Sequence, residues 1–289
     1  MPQAPSARYH FSVEGYSFGL LDSLSRSFSF HSCDVQFFRD ELDGLAPKVF
    51  FRSPHLNRLT DIDKVWARGK QLMTLFNGAY QLSELACHDP NPVQLPLLRE
   101  LYDFQRGINT TALYATTALK PQVSDFDPTE LGNTPLIVPN GSTAYAVYLS
   151  RTHEDVRKLL SGMGLELTYS RLFSICDTLA FSINEKRRVK GVKTQKQHMP
   201  IQELYSAAGT DHPEYTRFSS TANNYRTLGD DARHGLTADR PPANPMSLDD
   251  SRYLIASLVR AYLTKYHDIH YCSPRDFSLE SSSFIDDDF

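Results

Sequence analysis

The stretch THEDVRKLLSGMGLELTYSRLFSICDTLAFSINEKRR, residues 152–188, decides the fold class. Thr152 and Asp155 read as a capping box, in which the hydroxyl accepts an N–H of the first turn and the carboxylate reaches back. Val156, Leu159, Leu160 and Met163 then recur at helical spacing, and Gly162 and Gly164 end the segment. A longer helix follows from about Leu165 to Arg188, with Leu172, Ile175, Cys176, Leu179 and Ile183 on its inward face. A last helix starts at Ser247, capped with Asp250 after Pro245, and turns Leu248, Ile255, Leu258, Val259, Tyr262 and Leu263 inward. Short connections between such elements favour an antiparallel helical bundle.

Upstream of Thr152 the pattern is mixed. Tyr9, Phe11 and Val13 alternate with Arg8, His10 and Ser12, the period of a half-buried strand. Lys48 to Phe51 is a second strand candidate. Pro135 to Val138 and Ser142 to Leu149 read as a hairpin across Asn140-Gly141, because that pair tolerates the positive φ of a tight turn. Thr60, with Asp63, begins a helix whose Ile62, Val65, Trp66, Gly69, Leu72, Met73 and Phe76 share one face. Leu97 to Leu119 reads as helical, and the Pro-rich intervals 89–96 and 121–139 read as loops. The expected fold is therefore α+β. A mixed strand and helix domain of about residues 1–150 precedes a helical domain of about 151–275, and the acidic tail 276–289 is expected to be disordered.

Composition bounds the function. A chain of 289 residues with 40% hydrophobic residues, 17 Phe and 15 Tyr can bury more than one core. Its net charge of -4 offers no global attraction to nucleic acid, so any such binding must come from a local patch. Four scattered cysteines without a CxxC pair predict reduced thiols and a cytoplasmic protein. No apolar run reaches bilayer length, and the first residues lack an apolar signal core, so neither membrane nor export is expected. Phosphate-loop, dinucleotide-binding, nucleophile-elbow and HExxH motifs are all missing, which lowers the weight of nucleotide hydrolysis, α/β-hydrolase and zincin chemistry.

The densest polar cluster lies in TANNYRTLGDDARHGLTADRPPANPM, residues 221–246. Within it Asn223, Asn224, Arg226, Asp230, Asp231, Arg233 and His234 fall inside twelve residues. An imidazole can exchange protons near neutral pH and a guanidinium can clamp a phosphate, a pairing suited to metal-independent RNA cleavage by the neighbouring 2′-hydroxyl. The bland reading is equally weighted: these residues cap helix ends, with Gly235 ending the helix. Lys186, Arg187, Arg188, Lys190, Lys193 and Lys196 form a cationic run suited to RNA phosphates or an acidic partner, though a solvated loop is the stronger reading because no aromatics interleave it. His267, His270 and Cys272 have zinc-ligand chemistry but no matching spacing, and Asp40, Glu41 and Asp43 read as a surface turn, so no metal and no cofactor is expected.

The stretch TANNYRTLGDDARHG followed by PPANPMSLDDSRYLI, with the Arg and His near the junction of the later helices, resembles HEPN domains over about Glu166 to Tyr266. That resemblance implies an RNA-directed module of prokaryotic immunity or a toxin. It further implies a likeness to metal-independent ribonucleases, with His234 as general acid/base and Arg233 or Arg226 on the phosphate, supported by Asn224 and Asp231. It also implies a homodimer. The alternative is a non-catalytic adaptor or sensor that dimerises or binds a partner protein through its helices. A third reading is a small-molecule-binding protein with its site at the domain junction.

Overall fold

The computed structural model describes residues 8–14, 34–40, 48–85, 95–103, 141–196, 198–234 and 240–271. Helices and a four-stranded antiparallel sheet make a mixed α+β chain. Among the described residues no helix is long and apolar enough to cross a membrane. The chain divides into two compact units. The first holds the sheet and the residues up to Met73 and Arg151, and the second holds residues from Thr74 and from Thr152 to Tyr271.

The sheet consists of β1 (Tyr9–Glu14), β2 (Gln36–Asp40), β3 (Lys48–Arg52) and β4 (Leu97–Asp103), in the order β2-β3-β1-β4. Its register aligns Phe37 with Phe51, Phe51 with Phe11, and Phe11 with Leu101, so one row of large apolar side chains crosses all four strands. All four are fully buried. On the other face Phe38 stacks on Phe50 at 5.5 Å, and Phe50 meets the edge of Tyr102 at 5.7 Å. β1 is thus buried on both sides, with His10 and Ser12 buried as well, rather than half-buried as its alternation suggests. β4 corrects the helical reading of Leu97 onward. Leu and Glu favour helix, but pairing with β1 overrides that weak preference. The rest of that segment, 104–119, lies outside the described residues, as do Pro135–Val138 and the tail.

The cap of helix α1 (Ile62–Glu84) falls one residue later than predicted. Asp61 rather than Thr60 accepts the N–H groups, from Asp63 at 2.9 Å and Lys64 at 3.4 Å. Trp66 meets the edge of Phe11 at 4.9 Å, and a Cβ on Gly69 would stand 2.5 Å from the Phe11 ring. The expected hairpin is overturned at its second arm, because Ser142–Leu149 forms helix α2. Gly141 does adopt positive φ, at 94°, but as the residue that opens the helix. Thr143, Ala144, Ala146 and Val147 are the buried set, and in eight nearly apolar residues alternation and helical spacing choose overlapping positions.

The second unit contains α3 (Glu154–Met163), α4 (Tyr169–Val189), α5 (Tyr205–Ala208), α6 (His212–Ala222), α7 (Tyr225–Leu228) and α8 (Leu248–His267). The inward residues expected on α3 and α4 are buried, and so are Ile255, Leu258, Val259, Tyr262 and Leu263 of α8. Leu248 is only half-buried. The Ser247 cap bonds the Asp250 N–H at 3.1 Å. The Thr152–Asp155 capping box does not form. His153 caps α3 without a side-chain bond, and Asp155 turns instead to Tyr262, His267 and Lys186 at 2.6, 2.8 and 3.1 Å. A buried carboxylate gains more from three donors than from one backbone N–H at an exposed helix end. α4 begins at Tyr169, because the Thr168 hydroxyl accepts the Arg171 N–H at 3.3 Å.

Within this unit the stretch of α1 from Thr74 packs against α3 almost backbone to backbone. A Cβ on Gly78 would lie 2.0 Å from the Leu160 carbonyl oxygen, and one on Gly164 only 1.8 Å from that of Thr74. The Gln81 amide donates to the Met163 carbonyl at 2.7 Å, and Arg260 donates to that of Leu82 at 3.1 Å.

Candidate functional site

One face of α4 carries Phe173, Asp177, Phe181 and Asn184, spaced three or four residues apart. His198, just before the 3-10 turn Met199–Leu204 with Pro200 near its start, comes back over this face. α6, capped by Asp211 with Pro213 in its first turn, adds Tyr215, Thr216 and Ser219. The backbone N–H of Arg233 bonds the Ala222 carbonyl at 2.9 Å, which closes the loop after α6 and brings the Arg233 side chain to the same place. These elements enclose a cavity of about 690 Å³, within the range of small-molecule sites.

A continuous polar chain runs along its wall. The Tyr215 hydroxyl lies 2.6 Å from His198 Nδ1, His198 Nε2 lies 2.7 Å from Asp177 Oδ1, and Arg233 donates to Asp177 Oδ2 at 3.1 Å. Phe173 is the platform beneath, with the Arg233 guanidinium 4.0 Å from its ring centre and the His198 ring at 4.9 Å. Burial, with the nearby Cys176 thiol next in effect, pushes the Tyr215 phenol far up, so it stays protonated. Both ring nitrogens of His198 are thus partnered, Nδ1 by the Tyr215 hydroxyl and Nε2 by the Asp177 carboxylate, and the tautomer decides which of them donates. Behind this chain Cys176 is fully buried and its thiol is pushed up to about 12, burial outweighing the bond from Tyr215. It is inert as a nucleophile. Burial also raises the Tyr205 phenol to about 12, ahead of the nearby Cys176 and Asp211.

Of the residues singled out in sequence, Arg233 lines the cavity and Asn223 does too. Asn224 is buried in a structural role: its Oδ1 accepts from the Thr227 N–H at 3.0 Å and its amide donates to the Arg240 carbonyl at 3.0 Å. Arg226, Asp231 and His234 are exposed and do not line it, and Asp230 accepts from the Tyr225 hydroxyl at 3.2 Å. Much of the polar stretch from Thr221 serves to pin the chain after Arg240. Thr221 accepts the Met246 N–H at 3.0 Å, and Arg217 donates to the carbonyls of Asn244 and Pro245.

The cationic run is partly neutralised. Lys186 pairs with Asp155, Arg187 with Glu203 at 3.0 Å, and Arg188 with Glu185 at 2.6 Å. Lys190, Lys193 and Lys196 stand exposed around Gly191. Among the described residues no three His, Cys, Asp or Glu side chains converge as metal ligands. His267 is held by Asp155 and His270 by Asp268, while Cys272, Glu41 and Asp43 lie outside the described residues.

Asp177, His198 and Tyr215 were not legible as a group, being spread over 39 positions without a motif. The one sequence signal was Asp177 itself, an acid directly after the buried stripe residue Cys176 on α4. Comparison of the chain with protein-family models, with curated proteins and with solved structures finds no match.

Proposed function

We propose that the helical unit is an RNA-directed module whose cavity receives a phosphate-bearing segment, in the setting of prokaryotic immunity or a toxin that the HEPN-like resemblance implies. The observation that carries this reading is Arg233. Its guanidinium stands 4.0 Å over the Phe173 ring centre and engages Asp177 through one nitrogen, and no other side-chain bond involves it among the described residues. A guanidinium fixed in this way retains N–H donors for the oxygens of a phosphodiester. Lys190 and Lys193, exposed in the same unit, are further cationic groups available to a phosphodiester chain.

In the cleaving form of this function His198 replaces the exposed His234 as the proton-handling group. The Tyr215 hydroxyl turns away from Nδ1, and Nδ1 takes the proton of the ribose 2′-hydroxyl. The O2′–P bond forms, the P–O5′ bond breaks, and the leaving 5′-oxygen recovers a proton from the imidazolium. Arg233 faces the charge that develops on the non-bridging oxygens, and the products are a 2′,3′-cyclic phosphate and a 5′-hydroxyl. A second reading, a sensor or adaptor that binds without cutting, is favoured by the occupation of both ring nitrogens of His198.

The test is incubation of single-stranded RNA with the full chain in EDTA. Ribonuclease function gives cyclic-phosphate ends, lost in His198→Ala and Arg233→Ala and kept in His234→Ala. RNA retained but uncut selects the sensor. Charge reversal at Lys190 and Lys193 is expected to reduce the slope of log affinity against log salt by about 1.4. No retention of RNA at low salt overturns both forms.

A further inference from the structure

We propose that the outer part of this cavity is a nucleobase subsite, in which Phe181 stacks on one unpaired base while Arg233 holds the phosphate of the same nucleotide. The inference rests on the phosphate-binding reading above and adds what the rest of the ligand must be. Phe181 lines the cavity and yet is 62% exposed, and Met199 beside it is 50% exposed. Large apolar side chains left in water on the lining of a cavity that also carries polar groups have the chemistry of a site for a flat, apolar-faced ligand. Every base has such a face, and an aromatic ring that stacks on it is the common device for gripping an unpaired nucleotide.

The spacing agrees. Arg233 sits on Phe173, and Phe181 is eight residues further along the same helix. At the rise of an α-helix that is about 12 Å along the axis, comparable with the length of a nucleotide from its phosphate to the far edge of its base. The groups along the wall suit a base edge. Gln202, Thr216 and Ser219 line the cavity and present an amide and two hydroxyls, which donate or accept as the base requires. Asn184 takes no part, because both ends of its amide are held by the Gln195 backbone at 2.9 Å. A cavity of about 690 Å³ has room for a single nucleotide, and the subsite selects an unpaired base because a paired one has its edge occupied by its partner.

The experiment is calorimetric titration of the full chain with adenosine 5′-monophosphate, ribose 5-phosphate and adenosine, with Phe181→Leu, Phe181→Trp and Arg233→Ala as variants. Phe181 is exposed, so its leucine variant folds, which circular dichroism verifies. The expected result is that the nucleotide binds roughly tenfold or more tightly than ribose 5-phosphate. Phe181→Leu removes that advantage, Phe181→Trp keeps it, and ribose 5-phosphate is indifferent to both. Equal binding of nucleotide and sugar phosphate, with both lost in Arg233→Ala, overturns the base subsite and leaves the phosphate reading standing. Adenosine binding that depends on Phe181 but gains nothing from a phosphate keeps the subsite and overturns the phosphate reading. No binding of any of the three overturns both.

Discussion

Asp155 is the residue whose removal the helical unit is expected to feel most clearly. It sits on α3 with its side chain only 16% exposed, and one oxygen accepts from Tyr262 and His267 of α8 and from Lys186 of α4. Asp155→Asn keeps the shape and removes the charge. Each bond to a charged group contributes about 1.5–3 kcal/mol against about 0.5–1.5 for a neutral one, so three weakened bonds, if additive, lose about 3–4.5 kcal/mol. The bonds share one acceptor and Lys186 is partly solvated, which brings the expected loss to about 2 kcal/mol. That corresponds to about 4–8 °C in melting temperature for a unit of this size class. Burial alone would raise the Asp155 carboxyl, but the bonds from His267, Tyr262 and Lys186 outweigh it and hold it well below the usual carboxylate range. A folded-state value below the unfolded one, about 3.9, means that the stabilisation is complete above that pH. It is lost as pH falls through the carboxylate range. The gap between wild type and Asp155→Asn should therefore be full near neutrality and close as pH drops below about 4. Urea unfolding followed by far-ultraviolet circular dichroism measures it, while Trp66 fluorescence reports separately on the sheet unit. A neutral-pH difference under about 0.5 kcal/mol, or a gap that persists undiminished in acid, would falsify the reasoning.

Three further outcomes are expected. Gly164→Ala, whose new methyl meets the Thr74 carbonyl, should destabilise by about 3 kcal/mol or more, and Gly78→Ala should follow it; a stabilised variant in urea titration would contradict the backbone contact. Burial first and His267 second lower the His153 imidazole. Stability should therefore fall as pH drops through the histidine range, and His153→Gln should flatten that limb of the stability curve. Cys176 should escape iodoacetamide in the native protein at about pH 8, where its raised thiol is not ionised, and peptide mapping that finds it modified would refute the burial.

The helical elements were legible because their burial is one-sided and periodic. Val156 to Met163, Leu172 to Ile183 and Ile255 to Leu263 each place apolar residues three and four apart, and each set is buried. Misreadings fell where local pattern is ambiguous. Ser142–Leu149 is nearly uniform in polarity, and Leu97–Asp103 consists of helix-favouring residues held in a strand by β1. Caps shifted wherever a neighbour offered a better acceptor, as Asp61 did beside Thr60. The polar cluster from Asn223 to His234 was visible as composition, yet most of its members cap helices or face solvent. The groups that meet Arg233 come from α4, α6 and the turn between them, a convergence made by packing and not by spacing.

Helix α1 has a consequence for dissecting the protein. Residues up to Met73 belong to the sheet unit and residues from Thr74 to the helical one, so the boundary of the helical unit in space is not a boundary in sequence. A gene fragment that starts at Thr152 encodes the cavity but omits the segment bearing Gly78, Gln81 and Leu82, and it leaves Gly164, the Met163 carbonyl and Arg260 facing solvent. A synthetic peptide spanning residues 74–85 is then the natural complement, and adding it to the fragment should raise the fragment's resistance to urea.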